Sequence, residues 1–339
     1  MNMNRKIVKI ITLLILMPAL GYGQAKVGTT AAAFLGISST PRATSMGGAF
    51  AAVANDVSAL YYNPGGISRL PGSNLIFSHT GWLVDTDLNW VGFSINLDGT
   101  NAIGASITHL DYGDERVTTV DQPEGTGATW SAGDFAAAFS YARNLTDLFS
   151  IGGSVKYIQQ KIYNETGSAF AMDIGLLFTT QFNDMKLGMS ISNFGTDIKF
   201  SGKDLLSRVD LDEETIGHNE NIVSNLKTED WPLPLFFRVG LAMDVLRSSN
   251  SRLTVAADAF RPSDNTEIVN LGTEFAFNEM VFLRAGYKSL FRDDSEEGLT
   301  FGAGLNYRMG TAGAWGLDYA FMDFGVFESI HMFSLKVSL

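Results

Sequence analysis

From Ser73 to the last residue, the chain alternates apolar residues with small or polar ones in fourteen stretches. Leu299, Phe301, Ala303, Leu305 and Tyr307 point one way, and Thr300, Gly302, Gly304, Asn306 and Arg308 the other. A period of two puts successive side chains on opposite faces of a strand. The predicted strands are Ser73–Thr80, Asn89–Leu97, Asn101–Tyr112, Asp134–Arg143, Phe149–Tyr163, Ser168–Gln181, Lys186–Phe200, Leu233–Leu246, Ser251–Arg261, Thr266–Phe277, Met280–Phe291, Leu299–Met309, Ala312–Phe324 and Glu328–Ser338. Membrane strands need about 9 to 11 residues, whereas soluble strands more often have about 5 or 6. The expected fold is therefore all-β, a 14-stranded antiparallel transmembrane β-barrel over residues 71–339.

The faces divide by parity. Phe237, Val239, Leu241, Met243 and Val245 form a row for lipid, opposite Arg238, Gly240, Ala242 and Asp244. Phe170, Met172, Ile174, Leu176 and Phe178 are outward, as are Trp315, Leu317, Tyr319 and Phe321, and Phe333, Leu335, Val337 and Leu339. The inward row carries Asp173, Arg238, Asp244, Asp258, Glu274, Arg284, Lys288, Arg308, Asp318 and Lys336. Both signs are present, and an unpaired charge in a closed interior is costly, so these residues are expected to pair across the lumen. Connections sort in the same way. With the N-terminus in the periplasm, the turns at Asp98–Thr100, Asn144–Leu148, Phe182–Met185, Arg247–Asn250, Asn278–Glu279 and Gly310–Thr311 are all short and periplasmic. The two longest connections, Gly113–Gly133 and Ser201–Pro232, fall outside, the arrangement of outer-membrane barrels. The second is acidic, which reads as a hydrated cap; a calcium site remains open, although the spacing is not that of an EF-hand.

Between Gln24 and Leu70 the period changes. Met46, Phe50, Val53, Val57 and Leu60 recur at three- and four-residue steps, one face of a helix. Thr40 is placed to cap it, Pro41 suits its first turn, and Asn63-Pro64 with Gly65-Gly66 ends it. Gly47-Gly48 is costly inside a helix and marks either a break or close backbone packing. The segment lacks the basic charge of an interfacial anchor, so residues 24–70 are expected to fold into the lumen as a plug. Residues 1–23 carry Arg5, Lys6 and Lys9 and then an apolar run closed by Gly21-Tyr22-Gly23, the pattern of a secretory signal peptide.

Composition narrows the function. The net charge of −12 gives no electrostatic reason to bind nucleic acid. Zero cysteines exclude thiol chemistry and disulfides, and the four histidines (His79, His109, His218, His331) show no metal-ligand spacing, so no cofactor and no metal are expected. No Ser-His-acid grouping stands out, and the chain is not expected to be an enzyme. Trp82, Trp130 and Trp231 fall in outer connections, where large rings serve either a partner surface or the aromatic girdle at lipid headgroups.

The run from Pro41 to Leu70 resembles the N-terminal signature shared by FadL-like outer-membrane proteins and the PorV/PorQ family of Bacteroidetes. The matching positions are Gly47-Gly48, Ala51-Ala52, Asp56 and Tyr62-Asn63-Pro64-Gly65, with glycine where those families usually have alanine. The compact size is closer to PorV/PorQ. That resemblance implies an outer-membrane accessory or shuttle of the type IX secretion system, with the translocon barrel and C-terminal sorting domains of cargo as partners. Its alternative is a FadL-like passive transporter holding a hydrophobic small molecule in the lumen. For either, the hatch candidates are Met46, Gly47, Gly48, Phe50, Val53, Asp56, Val57, Tyr61, Tyr62, Asn63 and Pro64.

Overall fold

The computed structural model describes residues 26–209, 222–292, 295–310, 313–327 and 329–339. The expected signal peptide lies outside them, as do residues 210–221 of the acidic loop. Fourteen strands form the wall: β1 (Ser73–Gly81), β2 (Asp87–Asn96), β3 (Asn101–Arg116), β4 (Thr129–Asn144), β5 (Phe149–Ile162), β6 (Glu165–Thr179), β7 (Lys186–Gly195), β8 (Phe236–Arg247), β9 (Ser251–Pro262), β10 (Ile268–Phe277), β11 (Val281–Leu290), β12 (Leu299–Arg308), β13 (Ala314–Asp323) and β14 (Ser329–Ser338). Each pairs antiparallel with its chain neighbours, and β1 closes on β14 from Asn74↔Ser338 to Gly81↔His331. No edge strand is left in the ring, so each strand is hydrogen-bonded on both sides.

Alternation is as the parity predicts. On β1, Leu75 and Phe77 are exposed while Ile76, Ser78 and Thr80 are buried. The outward rows of β6, β8, β12, β13 and β14 give Phe170, Ile174, Leu241, Phe301, Leu317 and Leu335 to an apolar belt. A row of this kind is stable only against hydrocarbon. The wall is uneven in height: β3 to β6 have 14 to 16 residues, and β10 to β14 have ten each.

At the end that carries both Ser73 and Leu339, here the terminal end, the connections are short, the tightest resting on Asn278 and Glu279, both at positive φ. Two residues with φ above zero match the twist of a hairpin. The opposite, loop end holds the long connection between β7 and β8. There Phe200–Gly202 pairs with the start of β6, and Leu206–Val209 pairs with Ile222–Asn225.

Two predicted elements are corrected. The strand expected to continue to Phe200 ends at Gly195. Asn193 has φ of 64°, the β6–β7 register shifts beside Asp173, and that carboxylate accepts the Asn193 N–H at 2.8 Å. The bulge bends the strand; two further pairs, Met172↔Phe194 and Ala171↔Gly195, follow it before the chain leaves the ladder, and Phe200–Gly202 then takes the start of β6. The predicted outer connection Gly113–Gly133 is also shorter, because β3 runs on to Arg116 and β4 starts at Thr129, which places Trp130 within a strand opposite Glu115.

Candidate functional site

The segment before β1 lies inside the ring and plugs it. It is not the single helix that its apolar stripe predicts. A 3₁₀ turn (Ala33–Gly36) is followed by α1 (Pro41–Ser45), a run of turns, α2 (Ala59–Tyr62) and a second 3₁₀ helix (Pro64–Arg69). Gly47 and Gly48 have φ of 66° and 81°, and Ala54 has φ of 26°. These left-handed positions break the helix. The wall completes the change: the Asp258 carboxylate on β9 accepts the N–H groups of Phe50 (2.9 Å) and Ala51 (2.8 Å), donors that a helix would have used internally. Thr40 sits before α1 but makes no side-chain cap.

Glycines of the wall make room for this irregular backbone. An added Cβ on Gly152 would meet the carbonyl carbon of Pro64 at 2.6 Å, and one on Gly47 would meet the Leu271 carbonyl oxygen at 2.6 Å. Gly188 and Gly175 stand equally close to Ala51 and to Asn63-Pro64. Asn63 fixes the same point with its amide, donating to Ala51 O (2.7 Å) and Leu176 O (2.8 Å), while Ser190 donates to Tyr62 O at 2.9 Å. Two apolar clusters finish the packing. Met46, Phe50, Val53 and Tyr62 meet Ala242 and Ala256; Val57, Leu60 and Ile67 meet Ile76 and Trp90. Each large side chain so buried contributes roughly 1.5–3 kcal/mol.

The inward charges form a ladder that also holds the plug. Glu274 on β10 accepts from Arg42 Nε (2.8 Å) and Nη2 (2.9 Å), from Arg284 Nε (2.7 Å), and from Arg252 Nη2 (3.2 Å). Arg284 continues to Asp318 at 2.7 Å, whose other oxygen meets Lys336 at 2.6 Å. Arg42 reaches back to Asp56 at 2.9 Å and to Asn55 at 2.8 Å. Asp173 pairs with Lys156 at 2.7 Å. Arg308, expected in this set, is exposed at the terminal end of β12. Arg42 itself escaped the sequence reading, although an arginine within an otherwise small and apolar stretch was the signal for it.

Cavities remain on both sides of the plug. At the terminal end there are two of about 280 Å³ each, both reaching Asn55, Arg252 and Glu279; Val53 lines one, Asp56 and Val57 the other. At the loop end a pocket of about 240 Å³ opens over Gly48, Tyr61 and Tyr62, with Phe236, Arg238 and Phe260 on its wall. The Arg238 guanidinium carbon lies 4.6 Å from the Phe260 ring, 5.2 Å from Phe236, and 5.7 Å from both Tyr61 and Tyr62. At the rim, Lys288 Nζ meets Glu297 at 2.5 Å, and Ser289 donates to the same carboxylate at 3.0 Å. Burial opposes the charge on Glu297, but the Lys288 ammonium and these hydrogen bonds outweigh it and hold the carboxyl below its usual range.

Of the hatch candidates, Met46, Gly47, Phe50, Asn63 and Pro64 pack against the wall, Val53, Asp56 and Val57 line the terminal-end cavities, and Gly48, Tyr61 and Tyr62 floor the loop-end pocket. The tryptophans are not brought together. Trp82 is half-buried, edge-on to Phe324 at 5.5 Å; Trp130 lies in β4; only Trp231 is openly exposed, at 42%. Among the described residues no His, Cys, Asp or Glu cluster could hold a metal ion, and no helix is long and apolar enough to cross a membrane.

A match to the Uncharacterised protein family (UPF0164) spans residues 19–287. The chain belongs to this family. No curated protein matches this family member's sequence. Among solved structures it is similar to the CymD monoaromatic hydrocarbon channel, at 11% identity and a TM-score of 0.55, covering 89% of this chain and 96% of that one. It is similar to the Pseudomonas putida toluene transporter TodX, at 14% identity and 0.52, covering 87% and 96%. A Pseudomonas aeruginosa FadL homologue matches at 11% identity and 0.51, covering 89% and 98%. At such identities the likeness is one of fold, and it supports the FadL-like half of the resemblance while giving none to the PorV/PorQ half. The expected role as a type IX secretion shuttle, with translocon and cargo partners, is corrected by the same finding: the three similar structures are a hydrocarbon channel, a toluene transporter and a FadL homologue, and none of the three is a secretion component.

Proposed function

We propose that the chain is an outer-membrane barrel that lets small hydrophobic compounds cross passively, its loop end facing outward and residues 24–70 serving as the plug. What carries this reading is the position of the plug: one layer of chain, from Gly48 to Tyr62, separates an aromatic pocket at the loop end from two cavities at the terminal end. A solute leaving water for the rings of Tyr61, Tyr62, Phe236 and Phe260 gains the transfer energy of its apolar surface. Passage then requires only local movement of that layer. Two of the similar structures are a monoaromatic hydrocarbon channel and a toluene transporter, which agrees with a pocket of this size. About 150 Å³ holds one benzene.

Uptake of toluene by cells carrying the chain in an outer membrane otherwise poor in such channels tests the reading. Toluene uptake should rise, and uptake of a neutral sugar of similar mass should not. Equal uptake of toluene with and without the folded barrel would contradict it.

A further inference from the structure

We infer that the loop-end pocket is a binding site for a compact aromatic carboxylate, with Arg238 as the partner of the anionic group. This deepens the uptake reading and rests on it for the route by which a ligand arrives. Arg238 is 6% exposed, lines the pocket, and forms no salt bridge among the described residues. The wall groups packed on its guanidinium are the rings of Phe236 and Phe260; the Asp258 carboxylate is near enough to feel its charge but lies beyond ion-pair distance. Asp258, the nearest candidate partner along the β8–β9 ladder, spends one oxygen on Phe50 and Ala51 and has no hydrogen-bond partner on the other.

A buried charge without an opposite charge is costly, and ring faces return only about 0.5–2 kcal/mol. Buried Arg42, Arg284 and Lys156 each meet a carboxylate, and half-buried Arg69 is held by Ser150, Thr179 and two backbone carbonyls, whereas Arg238 packs on rings. Arg238 therefore presents a desolvated guanidinium fork, the geometry that a carboxylate meets with two parallel hydrogen bonds. The surrounding rings fit a flat apolar body: Tyr61 and Tyr62 on the plug, Phe236 on β8 and Phe260 on β9, at a volume of about 240 Å³. That volume suits one ring with its substituent, and the four ring faces favour a flat aromatic body over a flexible chain. At the rim, Asp264 is engaged by Thr30 at 2.7 Å and Glu297 by Lys288, so both fixed carboxylates are occupied.

Calorimetry on the full barrel in detergent, with benzoate, benzyl alcohol and octanoate as probes, tests this. Benzoate should bind more tightly than benzyl alcohol, which has the same ring and no charge, by roughly 10- to 100-fold, the value of a charge-assisted hydrogen bond. Octanoate should bind more weakly than benzoate. Arg238→Met should remove the preference for benzoate, and Arg238→Lys should keep part of it. Heat-modifiable gel mobility verifies folding of each variant; where Arg238→Met does not fold, the wild-type comparison alone decides. Benzoate no tighter than benzyl alcohol, octanoate equal to benzoate, or a preference that survives in folded Arg238→Met would each overturn the assignment. Toluene uptake with no benzoate preference would sink this inference and leave the transport reading standing; benzoate binding without solute uptake would do the reverse.

Discussion

Arg42 ties the plug to the wall through one guanidinium, with Glu274 on one side and Asp56 and Asn55 on the other. Removing it leaves Glu274 to the remaining arginines and Asp56 without its ion pair. Breaking a buried pair costs about 3–5 kcal/mol. Arg42→Met should therefore lower the thermal unfolding midpoint measurably, whereas a substitution at exposed Arg308 should not. A midpoint unchanged in Arg42→Met would show that the plug does not depend on this anchor. Glu297 supplies a pH-dependent contribution at the loop end. Its carboxyl titrates lower in the folded chain than the unfolded value of about 4.3. The Lys288–Glu297 contact is therefore fully stabilising above that value and is lost as pH falls through the lower, folded value. Glu297→Gln should flatten the stability profile of the barrel below about pH 4, and a profile identical to wild type in that range would refute the assignment. At this scale the sequence showed that the inward charges exist and mix signs, but not their partners. Pairing depends on strand register and on plug residues such as Arg42, far away in the chain.

The strands were the most legible elements. Alternation at period two was readable because each strand faces hydrocarbon on one side only, and register shifts such as the one beside Asp173 moved only the ends. The plug was the least legible. Its apolar stripe had the spacing of a helix face, and Met46, Phe50, Val53 and Val57 are indeed all buried. Burial on every side, however, comes from a barrel that surrounds the segment, and no local pattern reveals that Asp258 will capture two of its N–H groups. Gly47-Gly48 held the missing information, as a break and as close packing at once. Because Gly47 combines φ of 66° with a wall carbonyl 2.6 Å from where a Cβ would sit, Gly47→Val should unseat this part of the plug. Limited proteolysis within residues 40–60 of the folded barrel reads it out: faster cleavage than in wild type is expected, and equal resistance would contradict the packing.

For the whole molecule, the closed ring, the apolar belt and the plug fit either role that the N-terminal signature implied; the likeness to a hydrocarbon channel and a toluene transporter is what turns the proposal toward passage of small hydrophobic compounds. That signature, Gly47-Gly48 through Tyr62-Asn63-Pro64, encodes a way of seating backbone against wall glycines, which is why it marks an architecture more closely than a task. Deleting residues 24–70 separates two expectations. A plug that only blocks would leave a stable and leaky barrel; a plug that also supplies the inner core should leave one that assembles poorly, and the buried clusters around Phe50 and Leu60 predict poor assembly, scored by recovery of heat-modifiable protein. The most direct measurement uses the absence of native cysteine. Single cysteines at Asn265, beside the loop-end pocket, and at Asn55, in the terminal-end cavities, are exposed on intact cells to a maleimide polymer too large to cross the outer membrane. Labelling of Asn265→Cys alone, with Asn55→Cys reacting only after permeabilisation, is the result expected of a lumen divided by its plug; equal labelling of both from outside would contradict it.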